Sequence, residues 1–549
     1  MVRPLAFYHR VCKAWVLVRS SGDCDLALSP RGAFCCALWR LGQWRSAPVI
    51  ELRLKSTDSS CMRGCFSPRV AQTDGVLMVD NFETAEQLYS AMAAGKKTAC
   101  EVMQTTLERI AAVNPAVNAV VSMRTPEVLL AEASAADKQP VDQRGPLFGL
   151  PIAIKDLANA KGLPTSHGSP IFAGQIVEKD DLMVARIRAA GAIIIGKTNT
   201  PEMGLGSHTF NPVFGPTRNP YDLNRSAGGS SGGAAAALAT GMLSIADGSD
   251  MMGSLRNPAA WNNVYGFRPT WGCVPSEPEG DVFLHQVSTS GPMARSPQDI
   301  LMLLRVMIGA DPRVPNSRAA QDLPKQLDGE LRGKRLGWLG NWGGALPFEL
   351  GLLKATEGAL DVFRSLGAEV DELAPPFERA RLWQSWTTLR SWAIAGGDMG
   401  LYEKPAMRAQ MKPALIWEIE RGLALSALDV HRASVIRSEW FAACSALFER
   451  YDALLMPSAQ VWPFALEEVH PTQINGTAMD TYHRWMEVVI PAGLIGLPVL
   501  NLPAGFGDNG LPLGLQLIGA KGADAALLSM GQAWHQETNW PSQRPPRLD

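Results

Sequence analysis

The chain of 549 residues is short of histidine, with eight in all, and short of net charge, at −2 near neutral pH. A balance so near zero offers no basic face, so no nucleic-acid partner is expected. Apolar runs of bilayer length are missing too. The best candidate, Ala234 to Ala246, is short and broken by Gly241; it reads as a buried helix followed by a strand, and no membrane partner is expected. Cysteine is scarce where it would have to staple a fold. Of nine, Cys12, Cys24, Cys35, Cys36, Cys61 and Cys65 precede Met78, and only Cys100, Cys273 and Cys444 follow it. Three scattered thiols suit a reducing compartment, hence a cytoplasmic location, and argue against a disulfide framework. Cys61-x-x-x-Cys65 has the form of half a zinc site, but no second pair follows at a suitable spacing, and neither a metal nor a cofactor is expected.

The first 77 residues differ from the rest. They carry 11 basic against 5 acidic residues, are rich in Ser and Cys, and show no sustained periodicity. They read as an atypical extension, either a targeting presequence or a stretch ahead of a start at Met78 that does not fold. Residues 78–549 are expected to form one large domain.

Within it, the elements alternate. Thr98-Ala99-Cys100-Glu101 has the form of a capping box, and Met103, Leu107 and Ile110 then share one helical face. Asn114-Pro115 is expected to end that helix. Leu147 to Ile154 reads as a buried strand. Asp180 or Asp181 is placed to cap a helix through Ala190, with Gly191 at its C-terminus, before a strand at Ala192 to Ile195. This β-α-β pattern repeats through 234–246. The expected class is α/β, a mixed central sheet covered by helices on both faces. A stretch from about 345 to 450 is mostly helical and holds Trp383, Trp386, Trp392, Trp417 and Trp440; it reads as an insertion that could roof a cleft. Strand signals return at 453–456, 499–502 and 513–518.

Chemistry is concentrated in three places. Lys155 ends the apolar run Pro151-Ile152-Ala153-Ile154; Ser230 lies in Gly228-Gly229-Ser230-Ser231-Gly232-Gly233; Ser254 lies in Asp250-Met251-Met252-Gly253-Ser254-Leu255-Arg256. The Gly-rich segment precedes a helix and could approach an anion, but it lacks the Gly-Lys-Ser/Thr ending of a phosphate loop. It also satisfies G-x-S-x-G, which would make Ser230 an elbow nucleophile served by a downstream histidine. His285, His431, His470, His483 and His535 are available for that, none in a distinctive setting.

The Gly-Gly-Ser-Ser-Gly-Gly block followed by Gly-Ser-Leu-Arg-x-Pro-Ala resembles the amidase signature family. So do Gly149-Leu150-Pro151-Ile152-Ala153-Ile154-Lys155-Asp156, the block at 196–202, Gly266-Phe267-Arg268-Pro269-Thr270, and the block at 510–519. The resemblance covers about 80 to 535, and the order and spacing of the blocks carry it.

It implies an amidase that hydrolyses a carboxylic amide to acid and ammonia or amine through an acyl-enzyme. Matched residue by residue, Ser254 is the nucleophile, Ser230 the relay in a cis peptide with Gly229, and Lys155 the base. The oxyanion donors are the backbone amides of Met251, Met252, Gly253 and Ser254, with Ser231, Asp250 and Arg256 in support. A lysine at its usual pKa of about 10.4 cannot accept a proton, and burial is what makes it a base. One departure stands out. The family usually has two glycines before the nucleophile, and here they read Met252-Gly253; a positive φ at Met252 would strain it. Two other functions share the motifs: the amide-hydrolysing subunit of a tRNA-dependent amidotransferase, and a non-catalytic binding protein. The partner expected is a small amide, with a homodimer allowed. His208, Tyr482 and Trp485 are candidates to face the cleft.

Overall fold

A computed structural model describes residues 82–548. The N-terminal extension and the Cys61/Cys65 pair lie outside the described residues.

The capping box forms as expected. Thr98 accepts from the Glu101 amide while Glu101 accepts from that of Thr98, and Met103, Leu107 and Ile110 are buried along the Ala99–Val117 helix. Asn114-Pro115 does not end it. The helix runs on to Val117, because Asn118 supplies the stop: it takes a left-handed φ of 53° and donates its amide to the Asn114 carbonyl. The Asn114 side chain accepts from the Ala119 and Val120 amides, which tie down the next strand. At the Leu182–Ala189 helix Asp181 occupies the capping position without capping. Its carboxylate serves the Asn159 amide, and that of Asp180 serves Lys161 and Arg188.

The Leu182–Ala189 helix connects two parallel strands, Pro151–Lys155 and Ile193–Thr198, and Val120–Val121 pairs antiparallel on the far side of the latter. The expected continuation of this pattern does not occur. Ile245–Asp250 joins a separate eight-stranded sheet as an edge strand, antiparallel to Thr289–Ala294. From that edge the order is Ile245–Asp250, Thr289–Ala294, Tyr265–Arg268, Val499–Phe506, Pro512–Ile518, Ala453–Pro457, Arg335–Trp338 and Glu369–Glu372. Only the pairings of Arg335–Trp338 with its two neighbours are parallel, so the sheet is mixed.

Both faces of this sheet are covered, and strand alternation shows how. Leu500 and Leu502 point at Gly531 in the Asp524–Thr538 helix, while Gly514 and Asn501 face Ala260 of the Arg256–Trp261 helix. The 345–450 region is largely helical, and Arg379–Tyr402 packs on Pro413–Leu423 and Ala427–Leu447. It also holds a strand that periodicity hides: Glu369–Glu372 is a short, charged outer strand with no fully buried residue. Trp386 and Trp440 are buried core residues and Trp417 is exposed.

Candidate active site

Lys155 ends a strand in which all five residues are buried, and is itself 1% exposed. Its ammonium nitrogen is ringed by oxygen: Ser230 Oγ at 2.8 Å, Ser231 Oγ at 2.9 Å, Ser249 Oγ at 3.1 Å and the Ser249 carbonyl at 3.3 Å. Burial brings Lys155 down from its ordinary value to about 7, against the opposing pull of Asp247 and Asp250. Asp247 accepts the Lys155 backbone amide at 2.9 Å and is itself pushed up by burial to about 6. A neutral amine has two N–H donors and one lone pair. In a ring of four oxygens it can therefore donate to some and accept a hydroxyl proton from another.

Ser230 and Ser231 precede the wholly buried Gly232–Ala239 helix. The Gly229–Ser230 peptide is cis. Thr200 donates to the Ser230 carbonyl at 3.0 Å and Ser207 to that of Gly229 at 2.5 Å, so both sides of this peptide are held. Gly233 is required by close approach: a Cβ there would lie 2.3 Å from the Asn199 nitrogen and 2.6 Å from the Ala119 carbonyl.

Ser254 sits in a loop fixed by Asp250. That carboxylate accepts from the Gly253 amide at 2.9 Å, the Leu255 amide at 3.2 Å, and Arg256 at 2.9 and 3.0 Å, with Arg268 alongside. Burial alone would raise Asp250, but the two guanidinium groups hold it far below the usual carboxylate range. Arg256 also donates to the Val489 carbonyl and to Gln516, which anchors the loop to the large sheet. The concern over Met252 does not arise. The positive φ of the loop, 82°, is at Gly253, where a Cβ would collide with Val489, and Met252 is not among the left-handed residues.

Ser230, Ser249, Met251, Met252 and Ser254 line one cavity of about 280 Å³, closed on its other side by Met203 to Gly206 and by Arg390, Ala393, Ile394 and Asp398 of the Arg379–Tyr402 helix. Lys155 and Ser230 are hydrogen-bonded. The Ser230 and Ser254 hydroxyls share the cavity without bonding to each other, and the Ser231 amide donates to the Ser254 carbonyl at 3.3 Å. Of the four expected oxyanion amides, Gly253 is engaged by Asp250; those of Met251, Met252 and Ser254 have no acceptor among the described residues. No described histidine bonds to either serine. His208 pairs with Ser226 and the Leu466 carbonyl, and His483 with Thr481. The elbow arrangement is therefore not formed.

His208, Tyr482 and Trp485 do not line this cavity. They belong to a second one of about 600 Å³, which shares Leu205 and Gly206 with the first. Residue reasoning missed Ser249, Asp247 and Arg268. The first two lie in Asp247-Gly248-Ser249-Asp250 directly before the Ser254 loop, and Arg268 lies in one of the resembling blocks, so position was an available signal.

The family profile described as Amidase matches residues 101–528. An acylamidase of Rhodococcus erythropolis is 31% identical over 467 residues, covering 84% of this chain and 97% of its own. A glutamyl-tRNA(Gln) amidotransferase subunit of Chloroflexus aurantiacus is 34% identical over 497 residues, covering 84% and 98%. Among solved structures, a bacterial aryl acylamidase of the amidase signature enzymes superposes with a TM-score of 0.78 at 28% identity, covering 84% of this chain and 99% of its own.

Proposed function

The chain belongs to the amidase family and is a hydrolase acting on amide C–N bonds, and from that premise we propose that Lys155, Ser230 and Ser254 form its catalytic triad. The observation that carries this is the Lys155 amine, buried, lowered to about 7 and 2.8 Å from a hydroxyl that shares a cavity with Ser254. Neutral Lys155 takes the Ser230 proton, Ser230 takes that of Ser254, and Ser254 Oγ attacks the amide carbonyl carbon. The second link, from Ser254 to Ser230, closes with substrate bound, since catalytic hydrogen bonds commonly tighten only then. The tetrahedral oxygen is received by the unengaged amides of Met251, Met252 and Ser254, each of which typically contributes about 2.7–4 kcal/mol. The C–N bond then breaks as the relay returns the proton to the leaving nitrogen, and water enters by the same route to release the acid. Ser231 and Ser249 hold the Lys155 nitrogen in place, and Asp250 and Arg256 hold the loop. The helical region roofs the cleft through Arg379–Tyr402.

A panel of aliphatic, aromatic and amino-acid amides, read by ammonia or amine release, tests this. The purified chain should turn over at least one, and Ser254→Ala should turn over none. Full activity in Ser254→Ala would end the assignment.

The identity to the tRNA-dependent amidotransferase relatives favours a second reading, in which the ammonia released serves a partner protein. Co-purification with such a partner, and weak activity without it, would support that over a free-standing amidase. Cys273 and Cys444 are buried free thiols, which supports a reducing, cytoplasmic setting. No described helix is long and apolar enough to cross a membrane. For the partner question, a homodimer remains part of this reading.

A further inference from the structure

Two charged side chains, Arg390 and Asp398, line the cavity. Burial brings Lys155 to about 7, so it carries only part of a charge near neutral pH, and the Arg390 guanidinium is matched by Glu418, with Nε to Oε1 at 2.7 Å and Tyr482 beside them. Among the described residues the third Arg390 nitrogen has only the Met251 sulfur, at 3.0 Å. Asp398, two turns further along the same helix, also lines the cavity. Among the described residues its carboxylate has no hydrogen bond and no ion pair. Its helix neighbours Ile394, Ala395 and Met399 pack with Leu205 and Met203 in a largely apolar cluster, and the nearby Tyr402 hydroxyl and Lys412 ammonium are spent on Glu420 and the Leu205 carbonyl. Asp398 is half-buried, so its carboxylate keeps some contact with solvent while no protein cation pairs with it among the described residues. Burial pushes Asp398 up to about 6, so near pH 7 it is mostly ionised. The cavity it lines also holds Ser230 and Ser254, so a cation on a ligand reaching those serines has an unpaired carboxylate within the same space.

Building on the triad reading, we propose that Asp398 determines specificity by pairing with a protonated amine of the substrate, set apart from the amide that is cleaved. The substrate class is then an amino-substituted amide of modest size. Asp398 acts on binding and not on bond cleavage, so its loss should raise KM and leave kcat.

A matched pair of amides separates the roles. Hexanamide and 6-aminohexanamide differ by one terminal ammonium group. Asp398→Asn should raise KM for 6-aminohexanamide by about tenfold to a hundredfold, the range of a charge-assisted hydrogen bond. Its kcat should hold, hexanamide should be affected far less than 6-aminohexanamide, and Asp398→Glu should keep most of the preference. Equal losses on both amides, or no loss on either, would overturn the proposal. Hexylammonium binding measured by calorimetry needs no turnover: the unsubstituted chain should bind it and Asp398→Asn should bind it weaker by the same factor. Equal binding would overturn the proposal, whereas cation binding without turnover or serine labelling would overturn the triad and leave Asp398 in place.

Discussion

At the scale of single residues the proposed chemistry depends on one amine losing its proton. Because burial brings Lys155 to about 7, the protonated form dominates below that pH and cannot accept from Ser230. The kcat/KM of a neutral amide should therefore rise as pH passes through about 7 and level off above it. Lys155→Met should lower it at least about a hundredfold at every pH and abolish the rise. A pH-independent profile in the unsubstituted chain would count against the amine as base. Met252 lines the cavity without strain, so Met252→Gly should leave small amides unaffected and speed those with a bulkier acyl group, read as the ratio of kcat/KM for two acyl sizes. The three positions of the proposed triad stood out because their neighbours in sequence are distinctive, and the fold brings Lys155 to Ser230 and puts Ser230 and Ser254 on one cavity. The pairing of the Gly253 amide with Asp250 was not, since which amide a carboxylate takes depends on how the chain turns back on itself. Asp398 was silent for the same reason: a carboxylate in a helix looks alike whether it meets a cation, solvent or a cavity.

At the scale of elements the site is three chain segments pressed together. The Gly232–Ala239 helix runs against the ends of neighbouring strands, so Gly233→Ala forces a Cβ into backbone atoms that cannot yield cheaply. Thermal or denaturant unfolding should show a loss of at least about 1–3 kcal/mol. The Ser254 loop hangs on one carboxylate. Asp250→Asn breaks a buried pair with two arginines and should cost about 3–5 kcal/mol along with most activity. Asp250 is held below the usual range in the folded chain, so its contribution is complete above the unfolded value of about 3.9 and is lost as acid protonates it. Asp250→Asn should therefore lose its deficit relative to the parent only at strongly acidic pH. Local signals read these elements well where the determinant was local, as at Thr98–Glu101. They misplaced the end of the Ala99–Val117 helix because the signal given to Pro115 belongs to Asn118, three residues on. They missed Glu369–Glu372 because a four-residue outer strand with charged ends lacks a buried face to betray it.

At the scale of the whole molecule, two sheets meet at the site. Lys155 comes from the small sheet, and the loop with Ser254 follows the outer strand of the large one. Alternation of strands and helices made the α/β class readable. It could not show that the strand after the Gly-rich helix leaves the first sheet, since hydrogen-bond partners of a strand are chosen by distant segments. The helical region brings Arg390 and Asp398 over the serines from residues far along the chain. The most direct measurement labels the intact purified chain with a fluorophosphonate and maps the adduct by mass spectrometry. A proton chain running from Lys155 through Ser230 places the phosphorus on Ser254, with labelling abolished in Lys155→Met. An adduct on Ser230 instead, or unimpaired labelling of Ser254 without the lysine, would contradict it.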